Sequence, residues 1–470
     1  MSSQGFLLSK HLVLGLYFYP RGGSAQVVRY LASRLKRSLN THLYTGSLGK
    51  AGALTHAGTF FAGLDPVVLD YTAADLVWLS GGDPLRANPP MHGSFEDRAG
   101  VADTFLAKLS PELTDRQVSA WRDLFSLEED EPDIVHLNHL TPMHLAAFDL
   151  WSNARVVTHI HGTELKMMET IRQTSGLMYG EWWTDQMRES ADRSDLLITI
   201  SPQNRDLALE LLSVPESKVV TIPNGVDTDI FRPLDVSDDD RIAHWRRWLV
   251  TEPQGWEPNG APGSIRYSDE DLTLFRNRDG SLAPVLLFVG RFTAVKRVDV
   301  LLDAYEMFQA ESKQAAPLVI WGGFPGEWEG EHPYASVRQR GIEGVFFAGW
   351  RGHDDLPLAL TSADVFVAPS IHEPFGQVYL EAMSCGLPVI ATSTGGPLSF
   401  INVEPQRETG WLVKPGDAQS LMSAMILAVE NRGLREARGR NARTYVTRKY
   451  SWDTISDQVI EAYDRVLSQR

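Results

Sequence analysis

Short apolar runs alternate along this chain with longer amphipathic stretches, and that alternation most narrows what it can fold into. A strand buried on both faces reads as a continuous apolar run, and parallel neighbours need a crossover of a dozen or more residues, usually a helix. The pattern therefore predicts parallel sheets covered by helices. In the first half the expected strands are 12–18, 134–137, 156–159 and 196–200, followed by 219–222. In the second half they are 285–289, 317–320, 345–347, 365–368 and 388–391. Val298, Leu301, Leu302, Tyr305 and Phe308 recur at helical spacing, as do Trp452, Ile455, Val459, Tyr463 and Val466 after an N-cap at Ser451.

A chain of 470 residues is too long for one core, so two domains are expected. A net charge of −16 argues against a nucleic-acid binder or a protein held to anionic lipid by overall charge. It leaves room for an anionic small substrate at a few local cations. Cys385 is the single cysteine, which rules out an intrachain disulfide and suits a reducing compartment. The early apolar run 12–18 is too short to span a bilayer and lacks a signal-cleavage pattern, so a cytoplasmic protein is expected. Arg29, Arg34, Lys36 and Arg37 give the first helix a basic side, read as a solvated face rather than a membrane dock. Residues 81–101 and 232–283 resist the alternating scheme; each reads either as a lid or binding loop or as a solvated insertion.

The chemistry concentrates in Glu373-Pro-Phe-Gly-Gln-Val-Tyr-Leu-Glu381. Glu373 follows a buried strand, Pro374 suits a first helical position, and Gly376 lets a ligand approach the backbone. The helix should run to about Cys385, with Gly386 beyond its end and Pro388 blocking continuation. Amides at the start of that helix, from Phe375 through Gly376, Gln377 and Val378 to Tyr379, would face an anion such as a diphosphate. Glu373 would then face the group attached to the diphosphate, and Glu381 could accept hydrogen bonds from a ribose diol. Two ordinary surface glutamates would not be framed by a strand, Pro-Phe-Gly and a Gly-Leu-Pro ending. Gly290 and Arg291 directly follow another strand; Arg291 can grip a phosphate with two hydrogen bonds, and Lys296 can supply a point charge.

Glu373-Pro-Phe-Gly-Gln-Val-Tyr-Leu-Glu-Ala382 resembles the donor-site signature of the retaining glycosyltransferases of family four, the glycosyl transferases group 1. Arg21-Gly-Gly-Ser24, His161-Gly-Thr-Glu164, Ile222-Pro-Asn-Gly-Val-Asp227 and Gly290-Arg-Phe-Thr-Ala-Val-Lys296 match that family in order. The resemblance implies a GT-B fold, an α/β architecture of two Rossmann-like domains facing a central cleft. Residues 1–223 would form the acceptor domain, joined by a crossing helix 451–470, and 224–450 the nucleotide-sugar domain with an insertion at about 232–283.

The reaction implied is transfer of a hexosyl group, with retained configuration, from a nucleoside diphosphate sugar to a hydroxyl of a sugar, polyol or aminocyclitol. UDP is the expected carrier. Sugar phosphorylases, nucleotide-sugar epimerases and non-catalytic sugar-nucleotide binders share the fold and remain alternatives. Glu373, Arg291, Lys296 and His161 take the catalytic roles, His161 as a positioning group rather than a general base. Gly22 and Gly23 are expected in a loop before a helix at 25–38. Gly23, Gly322, Trp350 and Arg351 join Gly290, residues 375–378 and Glu381 around the donor, Trp350 reading either as a base contact or as packing. His92, Glu96, Arg98, Asn138 and Thr163 are assigned to the acceptor, and Asn224 to Asp227 to a structural turn. No cofactor or metal is expected, because Arg291, Lys296 and the helix start would neutralise the diphosphate and no Asp-x-Asp pair stands at a strand end.

Overall fold

The computed structural model describes residues 10–98 and 100–469 and divides into two compact units, Met1–Asn224 with Trp452–Arg470, and Gly225–Ser451. Residues 1–9, 99 and 470, which fall at the ends of the expected domain layout and within 81–101, lie outside the described residues.

The first unit contains β1 (His11–Leu16), β2 (Asn40–Ser47), β3 (Val67–Asp70), a short pair β4 (Gly93–Ser94) and β5 (Thr104–Phe105), then β6 (Ile134–Asn138), β7 (Arg155–Ile160), β8 (Leu196–Thr199) and β9 (Val219–Thr221). Seven of these form one sheet in the order β3-β2-β1-β6-β7-β8-β9, with every pairing parallel. Helix Gly22–Leu35 and the terminal helix Trp452–Leu467 bury Val27, Leu31, Trp452, Ile455 and Val459 against one face. On the other face, helix Pro111–Phe125 brings Trp121 and Phe125 onto Val13, Tyr44 and Val135. Tyr463 reaches from the terminal helix to His136 Nδ1 on β6, 2.5 Å away.

The second unit holds β10 (Leu286–Val289), β11 (Leu318–Trp321), β12 (Val345–Gly349), β13 (Val365–Ala368), β14 (Val389–Thr392) and β15 (Gly410–Val413). They form one parallel sheet in the order β12-β11-β10-β13-β14-β15, the doubly wound order of dinucleotide-binding folds. Helix Val298–Glu311 buries Val298, Leu301, Leu302, Tyr305 and Phe308, the residues that its spacing selects.

Three sheet strands escape the apolar pattern. β2 reads Asn-Thr-His-Leu-Tyr-Thr-Gly-Ser, too polar to stand out, and is specified by pairing with β1. β3 and β15 are edge strands of only four residues, and β3 buries just Leu69.

Both irregular stretches contribute buried residues to their units. In 81–101, Leu85, Met91, His92 and Phe95 are buried, and Gly93 N–H donates to the Tyr17 hydroxyl at 2.9 Å. In 232–283, the acidic run is the first turn of helix Asp238–Arg246, closed by a capping box between Ser237 and Asp240. That Ser-x-x-Asp spacing was the available signal. Trp245, Trp248 and Trp256 then bury almost completely within the unit. Trp248 stands edge-on to Trp321 at the end of β11, and Trp256 stacks on Phe292 while its indole N–H donates to the Gly323 carbonyl at 3.0 Å. The insertion is a buttress behind the loops that follow β10 and β11.

Trp256→Ala should therefore destabilise the second unit by about 3–5 kcal/mol, because it leaves both a cavity and an unpaired carbonyl. Urea unfolding followed by tryptophan fluorescence checks this; a change within about 0.5 kcal/mol, the size of a surface substitution, contradicts the buttress.

The first unit also buries uncharged imidazoles. Burial pushes His92 and His144 from the ordinary 6.5 to about 4, and His159 to about 3. An unfolded chain takes up these protons first as pH falls through 6.5, so the native state loses roughly 1 kcal/mol per histidine per pH unit until its own pKa is reached. Hydrogen-exchange mass spectrometry, corrected for intrinsic rates, should show β6 and β7 opening more at pH 5 than at pH 7; equal protection would refute it.

Candidate active site

In a doubly wound sheet the strand order reverses at one point, and the loops leaving the carboxyl ends of the two strands there diverge to leave a crevice. Each unit has one such point. In the first it lies between β1 and β6, and in the second between β10 and β13.

In the second unit, β10 delivers Gly290 and Arg291, and a following 3₁₀ turn, Ala294–Lys296, delivers Lys296. β13 delivers Glu373. Lys296 Nζ lies 2.5 Å from Glu373 Oε2, with the two side chains only 20% and 13% exposed. Shielding of that order strengthens a charge pair relative to one in water. Arg291 is exposed and has no ion-pair partner among the described residues. The loop leaving β13 is fixed by Gly396 N–H, which donates to the Glu373 carbonyl at 2.8 Å. Helix Gln377–Ser384 starts three residues later than Pro374 suggests, because Gly376 takes a left-handed φ of +97°. A Cβ there would stand 2.8 Å from the Tyr379 ring, so geometry and space both require glycine. Gly322, at φ +120°, is equally constrained: a Cβ would meet the Gly290 carbonyl oxygen at 2.4 Å.

Several expected donor contacts change character. Phe375 is 3% exposed and packs on Phe400, so its side chain belongs to the core. The Gln377 side-chain amide donates to the Gly225 carbonyl, leaving its backbone and that of half-buried Val378 at the helix start. Arg351 is not a free cation: it donates to the carbonyls of Ala348, Trp248 and Glu252 and so anchors the insertion. Trp350 is 44% exposed, with Phe324 edge-on to it at 5.7 Å. Glu381 is buried and hydrogen-bonded to His353 Nε2 at 3.1 Å. His353 has no recognisable spacing to the glutamate in sequence, and only the fold pairs them.

In the first unit, helix Gly22–Leu35 begins at Gly22 itself, so Gly23 sits in its first turn rather than in a loop, with open space where a side chain would project. Asn138 ends β6, and His161 follows β7. Asn138 Nδ2 donates to the Gly15 carbonyl at 3.0 Å, which turns Oδ1 toward His161 Nε2 at 2.9 Å. His161 Nε2 must then carry the proton, and Nδ1 is the acceptor. Burial, with His139 and His159 beside it, holds His161 well below the ordinary 6.5, so the ring is neutral near pH 7. Glu164 is fully buried and accepts from His161 N–H at 3.1 Å. Burial raises its carboxyl, but His139 and these hydrogen bonds outweigh that and leave it below the usual value. Thr163 Oγ1 lies 3.4 Å from both His139 Nδ1 and Glu164 Oε2.

The other acceptor assignments divide. His92 is fully buried among the rings of Tyr17, Phe18, Tyr19 and Tyr71, so it is a core residue and not a substrate contact. Arg98 and Arg21 both reach Asp103 Oδ2, at 2.7 and 2.5 Å. That buried aspartate was missed in the sequence, where it is one acidic residue among many. Glu96 is half-buried beside them. Asp227 caps the amides of Asp229 and Ile230, the structural role its turn implies. On the basic helix, Arg34 and Arg37 pair with Asp453, and Lys36 with Asp65. Among the described residues no helix is long and apolar enough to cross a membrane.

Known proteins share this pattern. The model described as Glycosyltransferase Family 4 matches residues 21–230, and that described as Glycosyl transferases group 1 matches residues 275–445. An uncharacterized glycosyltransferase of Methanocaldococcus jannaschii is 30% identical over 406 residues, 85% of this chain and 89% of its own. Among solved structures, sucrose-phosphate synthase of Thermosynechococcus elongatus superposes with a TM-score of 0.64 at 20% identity, covering 98% of this chain and 99% of that one. HepE of Anabaena, solved with UDP and glucose, gives 0.64 at 18% identity over 97% of this chain and 99% of its own. With one family model on each unit and a relative matched along most of its length, this chain belongs to the group 1 glycosyltransferases of family four and has their GT-B fold.

Proposed function

We propose that this glycosyltransferase moves a hexosyl group, with retention of configuration, from a UDP-sugar to a hydroxyl of a small polar acceptor. The observation that carries the reading is the Lys296–Glu373 pair at the switch point of the second sheet, with exposed Arg291 on the neighbouring loop. Arg291, Lys296 and the amides at the start of helix Gln377–Ser384 form an anion site for the donor diphosphate. Glu373 faces the sugar and Glu381, steadied by His353, takes the ribose. A UDP carrier is supported by the structural neighbour HepE, which was solved with UDP and glucose.

During transfer the bond between C1 and the phosphate oxygen breaks and negative charge grows on the departing UDP. Arg291 and Lys296 stabilise it, the largest electrostatic task of the reaction. The acceptor oxygen bonds to C1 on the same face, and its proton passes to the departing phosphate oxygen. These two cations do the work that a divalent metal does elsewhere, so the reaction is metal-independent. In the first unit, neutral His161 donates through Nε2 to Asn138 and is held from behind by Glu164 through its backbone N–H. Its role is that of a positioning group rather than a general base, and Arg98, Glu96, Asn138 and Thr163 are assigned to the acceptor.

A thermal-shift panel of UDP-, GDP-, ADP- and dTDP-hexoses should single out a UDP-sugar, since a bound ligand raises apparent stability. With that donor and an active acceptor, proton NMR should show the product's anomeric configuration unchanged, and EDTA should leave the rate unaltered. An inverted product, or phosphate-dependent cleavage of disaccharides, would overturn the reading.

Lys296→Ala should cost about a hundredfold or more in kcat, because it removes charge stabilisation that matters most in the transition state. Glu373→Gln, which breaks the charge pair but keeps the shape, should lower kcat while leaving UDP affinity within a fewfold. Unchanged turnover in Glu373→Gln would remove Glu373 from the site.

A further inference from the structure

At the opposite, amino-terminal edge of the first sheet stands a cluster that the transfer reaction does not use. His11 opens β1, His42 lies near the start of β2, and Glu128 follows helix Pro111–Phe125. Val13 pairs with His42 in the register of β1 and β2, so His11 and His42 point from the same face of the sheet. Glu128 descends onto that face.

Their donor atoms all lie within 4.8 Å of one another. His42 Nδ1 is 2.9 Å from both Glu128 oxygens, and His11 Nε2 is 3.4 Å from Glu128 Oε1. His11 Nε2 is buried, yet it makes no hydrogen bond. The 3.4 Å between His11 Nε2 and Glu128 Oε1 is close to the edge of a tetrahedron with ligands about 2.0–2.1 Å from its centre, whereas the 2.9 Å between His42 Nδ1 and Glu128 is a hydrogen bond that must lengthen when a metal enters. The Tyr44 hydroxyl donates to Glu128 Oε2 at 2.8 Å, an outer partner of the kind that orients a ligating carboxylate. Local charge also favours a cation: Glu128, Glu129, Asp130, Glu131 and Asp133 follow one another along the same loop, against Lys10, which pairs with Asp133. His42 is 42% exposed, so the cluster opens to solvent on one side.

We propose that His11, His42 and Glu128 form a Zn²⁺ site, completed by water, that ties β1, β2 and the loop after helix Pro111–Phe125 together at the edge remote from catalysis. Two imidazoles and one carboxylate are a borderline-soft set suited to zinc, and three protein ligands leave one tetrahedral position for water. The site does not depend on the donor or acceptor assignments.

Full-length protein without an affinity tag, stripped with EDTA, should bind one equivalent of Zn²⁺ in calorimetry. Co²⁺ should give the intense visible bands of a tetrahedral centre. Saturating Zn²⁺ should raise the melting temperature by at least about 2 °C. His42→Gln, at a half-exposed position, and Glu128→Gln, of unchanged shape, should each weaken binding at least tenfold while the metal-free melting temperature and the glycosyl-transfer rate stay the same. Absence of stoichiometric binding, a weak octahedral Co²⁺ spectrum, or binding that survives both substitutions would overturn the proposal.

Discussion

Parallel strand pairing is the constraint on which everything else in this protein rests. Each strand must return to the same end of the sheet through a covering helix before its neighbour can begin, so all loops after strands emerge at one edge. In both units the order then reverses beside the first strand, between β1 and β6 and between β10 and β13. Arg21, Gly23, Asn138 and His161 gather in this way in one unit, and Gly290, Arg291, Lys296 and Glu373 in the other, although their sequence separations exceed a hundred residues in the first case. The chemistry is collected by topology before any side chain makes a contact.

Within those loops, shielded charge is managed by pairing. Lys296 and Glu373 neutralise each other at 2.5 Å, so neither is left as an isolated charge when its surroundings are dry. Glu164 is deeper and holds its charge through His139 and the His161 amide. His161 meets the same burial without a carboxylate on its ring and remains neutral. One edge of a sheet thus carries an ionised acid beside an uncharged imidazole, each set by what its atoms can hydrogen-bond to.

The two edges of the first sheet carry different sets of side chains. Its carboxyl edge presents a neutral histidine held by an amide, whereas its amino edge presents two histidines converging on a carboxylate in an acidic loop.

Apolar runs and helical spacing were sufficient to locate ten of the sheet strands and the apolar faces of the helices Val298–Glu311 and Trp452–Leu467, because burial on both faces leaves a pattern in consecutive residues. The Glu373 segment was legible for the same reason, as strand, glycine and helix follow one another within a dozen positions. β2 was not, since a polar strand is specified by its neighbour rather than by itself. Nor was the burial of Trp256 under Phe292, the diversion of Arg351 to backbone carbonyls, the full enclosure of His92, or the pairing of Glu381 with His353. Each of these depends on which distant segment fills the space beside a side chain. Local order is written in periodicity, but partners separated by many residues are chosen by packing, and that only the tertiary structure decides.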